Sequence, residues 1–318
     1  MNAENNNKPI NSPLNPPNKG GYSRRKFLTA LSAAGASLYV APLLASSNDQ
    51  EELPLSLEDF SGTAEKLYIL NGGYAVAPDR SVYSPGKAKK GEQVILSCYA
   101  YLIRHKNEWI LWDTGIEDSI INEPGGKIIA HDIRGIVVRS IASQLSDLGL
   151  SHSDIAKVIL SHAHFDHVGN AALFPEATWY IQRKEYDAMF SKNYKDYGYA
   201  PELYKNLKNV KKVLMDGDTD LYGDNAVKVI STPGHTPGHC SLLVRLAATG
   251  PVLLSADVAH FESNMEHRCV PTMNSDSSES KRSMEKVDGI IKSEKAEFWI
   301  NHDLTAMAAR PQLPAFFK

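Results

Sequence analysis

One short segment of the chain concentrates more metal-binding side chains than packing alone explains. Residues 162–167 read His-Ala-His-Phe-Asp-His and follow a short apolar run that is predicted to be a buried strand. Alternate residues of an extended segment face the same side, so His162 and His164 can converge on one point. A turn through Asp166 and His167 then places a carboxylate and a third imidazole beside them. Because packing gains nothing from four desolvated polar groups, and because zinc-like cations prefer these ligands, the segment predicts a metal site.

The remainder of the chain alternates predicted strands and helices. Val94 to Ile103 and Trp109 to Trp112 form a predicted strand pair joined by a polar turn. Further short strands are predicted at 158–160, 178–181, 227–230, 241–246, 252–254 and 298–300. Apolar side chains at helical spacing predict an amphipathic helix over 131–149, and Asp276 with Glu279 predicts the start of another. This pattern indicates an α/β fold in which helices cover sheets.

Composition excludes several classes of protein. With 42% hydrophobic and 22% charged residues, the 318-residue chain is not wholly disordered, collagen-like or a polytopic membrane protein. Residues 1–45 contain five cations and one acid. The rest of the chain has 29 cations against 36 acids, a net charge of −7. A body this acidic lacks the electrostatic surface that nucleic acid requires.

The first 45 residues are predicted to be a disordered start and an export signal. Residues 1–21 are rich in Asn, Pro and Gly, and the Arg24–Arg25 pair precedes a mildly apolar run over 28–45. This arrangement resembles a twin-arginine signal, which implies a periplasmic or secreted protein. A transmembrane helix is disfavoured because the polar-interrupted run is shorter than the roughly 20 strongly apolar residues that a span needs. We therefore expect a single domain over 46–318 with no stable membrane span.

Three cysteines, Cys98, Cys240 and Cys269, are too scattered for a disulfide framework and form no C-x-x-C pair. They are either three buried reduced thiols or one bridge with a free thiol.

The H-x-H-x-D-H motif at a strand end resembles the signature of the metallo-β-lactamase superfamily. Four other features agree with it: Asp113-Thr114-Gly115, the 232–239 segment Thr-Pro-Gly-His-Thr-Pro-Gly-His, Asp257, and His302-Asp303. Within the superfamily the chain is most similar to N-acyl-homoserine lactonases, on Ile181 to Tyr186, the run into Ser241-Leu242 and Asn301-His302-Asp303. The resemblance implies an α/β fold of the αββα sandwich type.

The same resemblance implies two zinc ions, or other divalent metals, held by seven side chains. The implied ligands are His162, His164 and His235 for the first ion, Asp166, His167 and His302 for the second, and Asp257 as the bridge. Asp113 is expected to support the metal loop, the alternative being an ordinary Asp-Thr-Gly turn. His239 is left open between a supporting residue and a turn residue. His105, His131, His152 and His267 have no motif around them and are expected to be surface or core residues.

The implied reaction is hydrolysis of a lactone by a hydroxide that two metals generate from a shared water. Asp166 is a candidate to accept the proton after attack. His260 occupies the position, three residues after the bridging Asp257, where homoserine lactonases commonly carry a Tyr. An imidazole N–H can donate to the substrate carbonyl as a phenol does, so His260 is a candidate catalytic residue. The alternative is that it merely lines the pocket or faces solvent.

The expected substrate is a small-molecule lactone, and the resemblance allows a homodimer. A phosphotriesterase resembling methyl parathion hydrolase is the main alternative, since its ligands match. A glyoxalase II-like thioester hydrolase is disfavoured because only 16 residues follow His302, too few for the usual helical domain. A non-catalytic zinc-binding scaffold is disfavoured by the complete ligand set.

Overall fold

The computed structural model describes residues 62–318. The predicted export signal and the predicted domain start at residue 46 lie outside the described residues. Within residues 62–318, no helix combines the length and the apolar character needed to cross a bilayer.

The larger of two sheets has eight strands in the order β4-β5-β1-β2-β3-β6-β7-β8. Its strands are β1 (Lys66–Ala77), β2 (Val94–His105), β3 (Glu108–Trp112), β4 (Lys127–Ala130), β5 (Ile133–Ile136), β6 (Ile155–Ile159), β7 (Thr178–Gln182) and β8 (Lys212–Met215). Strands β4, β5, β1, β2 and β3 pair antiparallel, whereas β3, β6, β7 and β8 pair parallel. The antiparallel half therefore combines the β1-β2-β3 meander with the β4-β5 hairpin on the edge of β1, and the parallel half is crossover-connected.

The smaller sheet has five strands in the order β13-β12-β11-β10-β9. Its strands are β9 (Thr219–Asp220), β10 (Val227–Ser231), β11 (Cys240–Leu246), β12 (Gly250–Leu254) and β13 (Glu297–Trp299). All neighbours pair antiparallel except β12 and β13, which are parallel.

Seven α-helices accompany these sheets in the described part of the chain. They are α1 (Ile141–Asp147), α2 (Phe165–Val168), α3 (Arg183–Met189), α4 (Pro201–Tyr204), α5 (Glu262–His267), α6 (Ser277–Glu294) and α7 (Leu304–Ala308). Asp276 caps α6 by accepting a hydrogen bond from the Glu279 backbone N–H at 2.8 Å, as predicted.

Both faces of each sheet are covered by apolar side chains. Trp112, Val229, Leu242 and others from both sheets form the core between them. Leu145 of α1 belongs to a second core on the outer face of the larger sheet. Met284, Val287 and their neighbours on α6 pack on the outer face of the smaller one. The molecule is thus the predicted αββα sandwich.

The predicted helix over 131–149 is wrong in its first half. Residues 133–136 form β5, which pairs antiparallel with β1, and the helix begins only after Ser140, whose hydroxyl caps it. The isoleucines at 133 and 136 can be accommodated in a helix or in a strand. The open edge of β1 offers backbone hydrogen-bond partners to a strand but not to a helix, and this pairing favours the strand. The other predicted strands are present, with ends that differ by up to three residues.

Five connecting segments leave strand ends at one edge of the sandwich. They follow β3, β6, β10, β12 and β13 and carry the predicted site residues at 113, 162–167, 235–239, 257–260 and 302. This sheet edge is where the candidate site lies.

Candidate metal centre

The seven predicted ligands come together in overlapping clusters. Three groups of ligand atoms each lie within 4.8 Å of one another: His162, His164, His235 with Asp257; His167 and His302 with Asp257; and Cys98 with Asp166 and His302. All of these side chains are buried except the half-buried His164. Because Asp257 belongs to two groups, its carboxylate lies between two sets of imidazoles.

The first group joins the H-x-H segment to the loop after β10. His164 Nδ1 lies 2.9 Å from both His162 Nε2 and His235 Nε2. Asp257 Oδ2 is 3.3 Å from His235 Nε2 and 3.8 Å from His162 Nε2. Three ring nitrogens and one carboxylate oxygen therefore face a common point, as ligands of one ion would.

The second group brings the short helix α2 against the loop after β13. Asp257 Oδ1 lies 2.9 Å from His167 Nε2 and 3.0 Å from His302 Nε2. Asp166 Oδ2 lies 3.7 Å from each of the same two nitrogens. Two imidazoles and two carboxylates thus surround a second point, with Asp257 shared between the groups.

All five imidazoles are held by a partner on the ring nitrogen that faces away from the centre. His162 Nδ1 is 3.0 Å from Ser161 Oγ, and His167 Nδ1 is 2.7 Å from Asp113 Oδ2. The other three contacts, each 2.8 Å long, join His164 Nε2 to the Tyr197 carbonyl, His235 Nδ1 to Asn274 Oδ1 and His302 Nδ1 to the Ser97 carbonyl. Such contacts fix the tautomer and ring orientation of metal-ligating histidines, leaving the inward nitrogen free to bind.

The donor set fits divalent metal ions. His167 Nε2 is buried and makes no hydrogen bond among the described residues, although it lies 2.9 Å from Asp257 Oδ1. A bound cation would give this nitrogen a partner. Burial alone would raise the pKa of Asp257, but the imidazoles of His302, His167 and its other neighbours lower it well below the usual value. Carboxylate oxygens together with imidazole nitrogens are the donors of zinc sites.

Asp113 supports this centre through hydrogen bonds, as predicted from its motif. Its carboxylate accepts from the Ser161 backbone N–H and hydroxyl, both at 2.7 Å, in addition to His167. The residue has a φ of +57°, a strained conformation for a side chain other than glycine. These hydrogen bonds stabilise the strained conformation and join the turn after β3 to the segment 162–167.

His239 lies outside the ligand groups and holds Asp257 through its backbone. Its Nε2 accepts from the Asp257 N–H at 2.9 Å, while Nδ1 lies 2.8 Å from the Thr232 carbonyl. Burial lowers the pKa of His239 to about 4, so the ring is neutral and can both accept and donate. The remaining histidines, His105, His131, His152 and His267, take no part in the ligand groups.

His260 reaches the centre in the position predicted from its spacing. Its Nε2 lies 3.2 Å from Asp257 Oδ2, and its ring stacks on His302 at 4.8 Å with an interplanar angle of 17°. The Tyr83 ring packs against it at 4.9 Å. Burial lowers the pKa of His260, although Asp257 opposes this effect. The alternative that His260 faces solvent is excluded by its 2% exposure.

Glu185 is a further buried residue of the site that the sequence did not identify. Its carboxylate accepts from the Ala163 N–H at 2.9 Å and, on the other oxygen, from the Thr236 hydroxyl at 2.7 Å and the Gly238 N–H at 3.0 Å. Tyr199 adds a fourth donor at 2.6 Å. Glu185 therefore ties the H-x-H segment to the loop that carries His235. The Ile-Gln-Arg-Lys-Glu-Tyr stretch that contains Glu185 supports the resemblance, but its sequence does not indicate what the carboxylate contacts.

All three cysteines are free and buried, as in the first of the two alternatives. The thiol of Cys98 lies in the centre itself, 3.4 Å from Asp166 Oδ2. No local motif marks this cysteine. It lies on β2, far in sequence from the seven predicted ligands.

Comparison with known proteins agrees with this architecture. Residues 94–288 match the metallo-beta-lactamase superfamily. The chain therefore belongs to the metallo-beta-lactamase superfamily.

Several similar proteins within that superfamily are N-acyl homoserine lactonases. An N-acyl homoserine lactonase from Bacillus sp. is 31% identical over 249 residues, covering 76% of this chain and 94% of the relative. The N-acyl homoserine lactonase AttM of Rhizobium radiobacter is 32% identical over 182 residues, or 55% of this chain and 68% of the relative. A solved N-acyl homoserine lactone hydrolase, with the product N-hexanoyl-L-homoserine at its catalytic metal centre, superimposes with a TM-score of 0.70 at 27% identity. That match covers 80% of this chain and 99% of the solved one.

Replacing Glu185 with Gln is expected to loosen the centre without removing a ligand. The NH₂ group of glutamine would replace one carboxylate oxygen of Glu185 and face hydrogen-bond donors. The hydrogen bonds lost in this way cost roughly 1–3 kcal/mol of stability. We also expect zinc affinity to fall about tenfold, the effect typical of losing a residue that orients ligands. Thermal unfolding and titration against a chromophoric chelator measure both. Glu176→Gln, at an exposed position, is the matched control. Unchanged affinity in Glu185→Gln would contradict the role.

Proposed function

We propose that this protein is a dinuclear zinc hydrolase that opens the lactone ring of N-acyl-homoserine lactones. The observation that carries the proposal is the pair of ligand groups sharing Asp257, whose six side chains are joined by Asp166 beside His167 and His302. The lactonase relatives, one of which aligns over 94% of its length, support the substrate class. The homoserine lactone product in the catalytic centre of a similar structure supports it further.

The metal ions and the residues around them would have separate roles in this reaction. Two divalent ions, when bound, lower the pKa of water and polarise the ester carbonyl. Asp166 lies at the edge of the centre, where its carboxylate can bind an ion and take the proton that leaves after attack. Apart from the half-buried His164, the ligands are buried, and the low dielectric around them strengthens the electrostatic interactions within the centre. No covalent intermediate with the protein is required.

His260 supplies, in this proposal, the donor that faces the substrate carbonyl. A hydrogen bond that strengthens as the carbonyl gains negative charge lowers the barrier more than it tightens binding. His260→Ala should therefore lower kcat by about 10²-fold, as loss of one oxyanion donor typically does, while raising KM less. His260→Tyr should recover much of the loss.

Metal content must be measured alongside, because His260 also lies near Asp257. His267→Ala, on the partly exposed end of α5, is the control and should leave both constants unchanged. A kcat for His260→Ala within twofold of the parent would show that His260 is not the donor.

An activity panel tests the proposed reaction against its rivals. The zinc-loaded protein is assayed on N-acyl-homoserine lactones, aryl phosphotriesters and S-lactoylglutathione, each with and without chelator. We expect chelator-sensitive turnover of the lactones to exceed that of the other two substrates. A higher kcat/KM on phosphotriesters or on the thioester would replace the proposed reaction with that one. Absence of turnover on all three would favour the scaffold alternative.

We propose that the protein is exported through the twin-arginine pathway, on the strength of the Arg24–Arg25 pair and the run that follows it. Arg24→Lys combined with Arg25→Lys keeps the charge and should retain the protein in the cytoplasm. Cell fractionation with immunodetection measures this. Lys8→Arg with Lys19→Arg is the control and should leave export intact. Unchanged fractionation of the paired-arginine variant would show that another signal is used.

A further inference from the structure

The Cys98 thiol lies at the same point as the proposed second metal site. Its Sγ is 3.4 Å from Asp166 Oδ2, and both belong with a ring nitrogen of His302 to one group of mutually close ligand atoms. The side chain has no solvent exposure. It belongs to the same buried cluster as Ala75, Ile116 and Phe261, and its Sγ also lies 3.8 Å from the Leu96 carbonyl of its own strand. Asp166 of the centre is therefore its nearer polar contact.

The positions of the neighbouring atoms match coordination of one ion. A zinc ion with sulfur at about 2.3 Å and oxygen at about 2.0 Å holds the two atoms about 3.5 Å apart when the angle between them is near tetrahedral. The Cys98–Asp166 separation of 3.4 Å agrees with this spacing. The buried His167 Nε2 makes no hydrogen bond among the described residues and lies 2.9 Å from Asp257 Oδ1 and 3.7 Å from the same Asp166 oxygen. An ion between these atoms would bind that nitrogen and both carboxylates.

We infer that Cys98 is a sulfur ligand of the ion held by Asp166, His167 and His302. The inference rests on the metal site of the proposed function and adds one ligand to it. As the sulfur–metal bond forms, the S–H bond breaks and its proton passes to solvent, so metal binding releases a proton through this residue. With Asp257 as the bridge, the donor set becomes two carboxylate oxygens, two imidazole nitrogens and one sulfur, which favours thiophilic ions such as zinc and cadmium over manganese or magnesium. The competing arrangement is a thiol that only donates a hydrogen bond to Asp166.

X-ray absorption of the zinc-loaded full-length protein distinguishes the two arrangements. We expect a sulfur scatterer at about 2.3 Å beside the nitrogen and oxygen shell at about 2.0–2.1 Å. Protein loaded with two equivalents of cobalt should show the intense near-ultraviolet absorption of a cobalt–thiolate bond. Cys98→Ser should lose both signals. Cys240→Ser removes an equally buried thiol that belongs to none of the ligand groups and should keep both.

The X-ray absorption spectrum of the wild-type protein shows whether sulfur binds the zinc ion even if Cys98→Ser fails to fold. Bound zinc with only nitrogen and oxygen neighbours would overturn the assignment of Cys98 and leave the proposed function standing. Protein that binds no zinc or cobalt by metal analysis would overturn the proposed function and the assignment together. Sulfur signals that persist in folded Cys98→Ser would also contradict the assignment.

Discussion

Asp166→Asn is expected to reduce kcat/KM for lactone hydrolysis at least about 100-fold, the effect typical of losing a positioned acid–base group. The substitution keeps the size of the side chain and removes its charge. The proposed second site then loses one of its two carboxylates, and the reaction loses its proposed proton acceptor. Steady-state kinetics at saturating zinc measures the effect.

Two controls separate the two roles of Asp166. Asp303→Asn changes a carboxylate that caps α7 next to the ligand His302, without belonging to a ligand group. It should keep near-normal activity. Metal analysis of Asp166→Asn shows whether the loss comes with one missing ion or with a full complement. Near-wild-type turnover in Asp166→Asn would exclude this residue from both roles.

Removing divalent metal with a chelator should have the largest effect of all. A bound zinc ion lowers the pKa of water to about 7, so activity should fall by more than about 10³-fold without metal. Stability should fall as well, because an ion that binds only the native state at 1,000 times its Kd contributes about 4 kcal/mol. In a domain of this size that corresponds to a drop in Tm of about 10 °C.

Readdition of zinc to the chelated protein should restore both activity and Tm. Magnesium, which prefers oxygen ligands and keeps its waters, is the matched control and should restore neither. Full activity in protein shown by metal analysis to be metal-free would contradict the proposed chemistry.

The candidate centre could be recognised in the sequence because its predicted ligands lie in short motifs. Three histidines and an aspartate within six residues stand out without any knowledge of the fold, and the resemblance extended that set to His235, Asp257 and His302. The structure brings all seven together at the sheet edge. The strand and helix patterns predicted an α/β fold with helices covering sheets, and the resemblance implied the αββα sandwich.

Features that depend on tertiary pairing were not predicted. The strand at 133–136 carries a spacing that also suits a helix, and the edge of β1 decides between them. Cys98 lies more than sixty residues before Asp166, so only the packing of β2 against the metal loop brings the two together. Glu185 likewise acts on two loops at once, a relation that no single stretch of sequence displays.

The central claim is hydrolysis of the lactone ring, and the product formed in water labelled with heavy oxygen tests it most directly. The zinc-loaded protein is incubated with N-hexanoyl-homoserine lactone, and the product is identified by mass spectrometry. We predict intact N-hexanoyl-homoserine with one labelled oxygen in the new carboxylate, formed only when metal is present. An unopened lactone after prolonged incubation, or release of the acyl chain by amide cleavage, would contradict the claim.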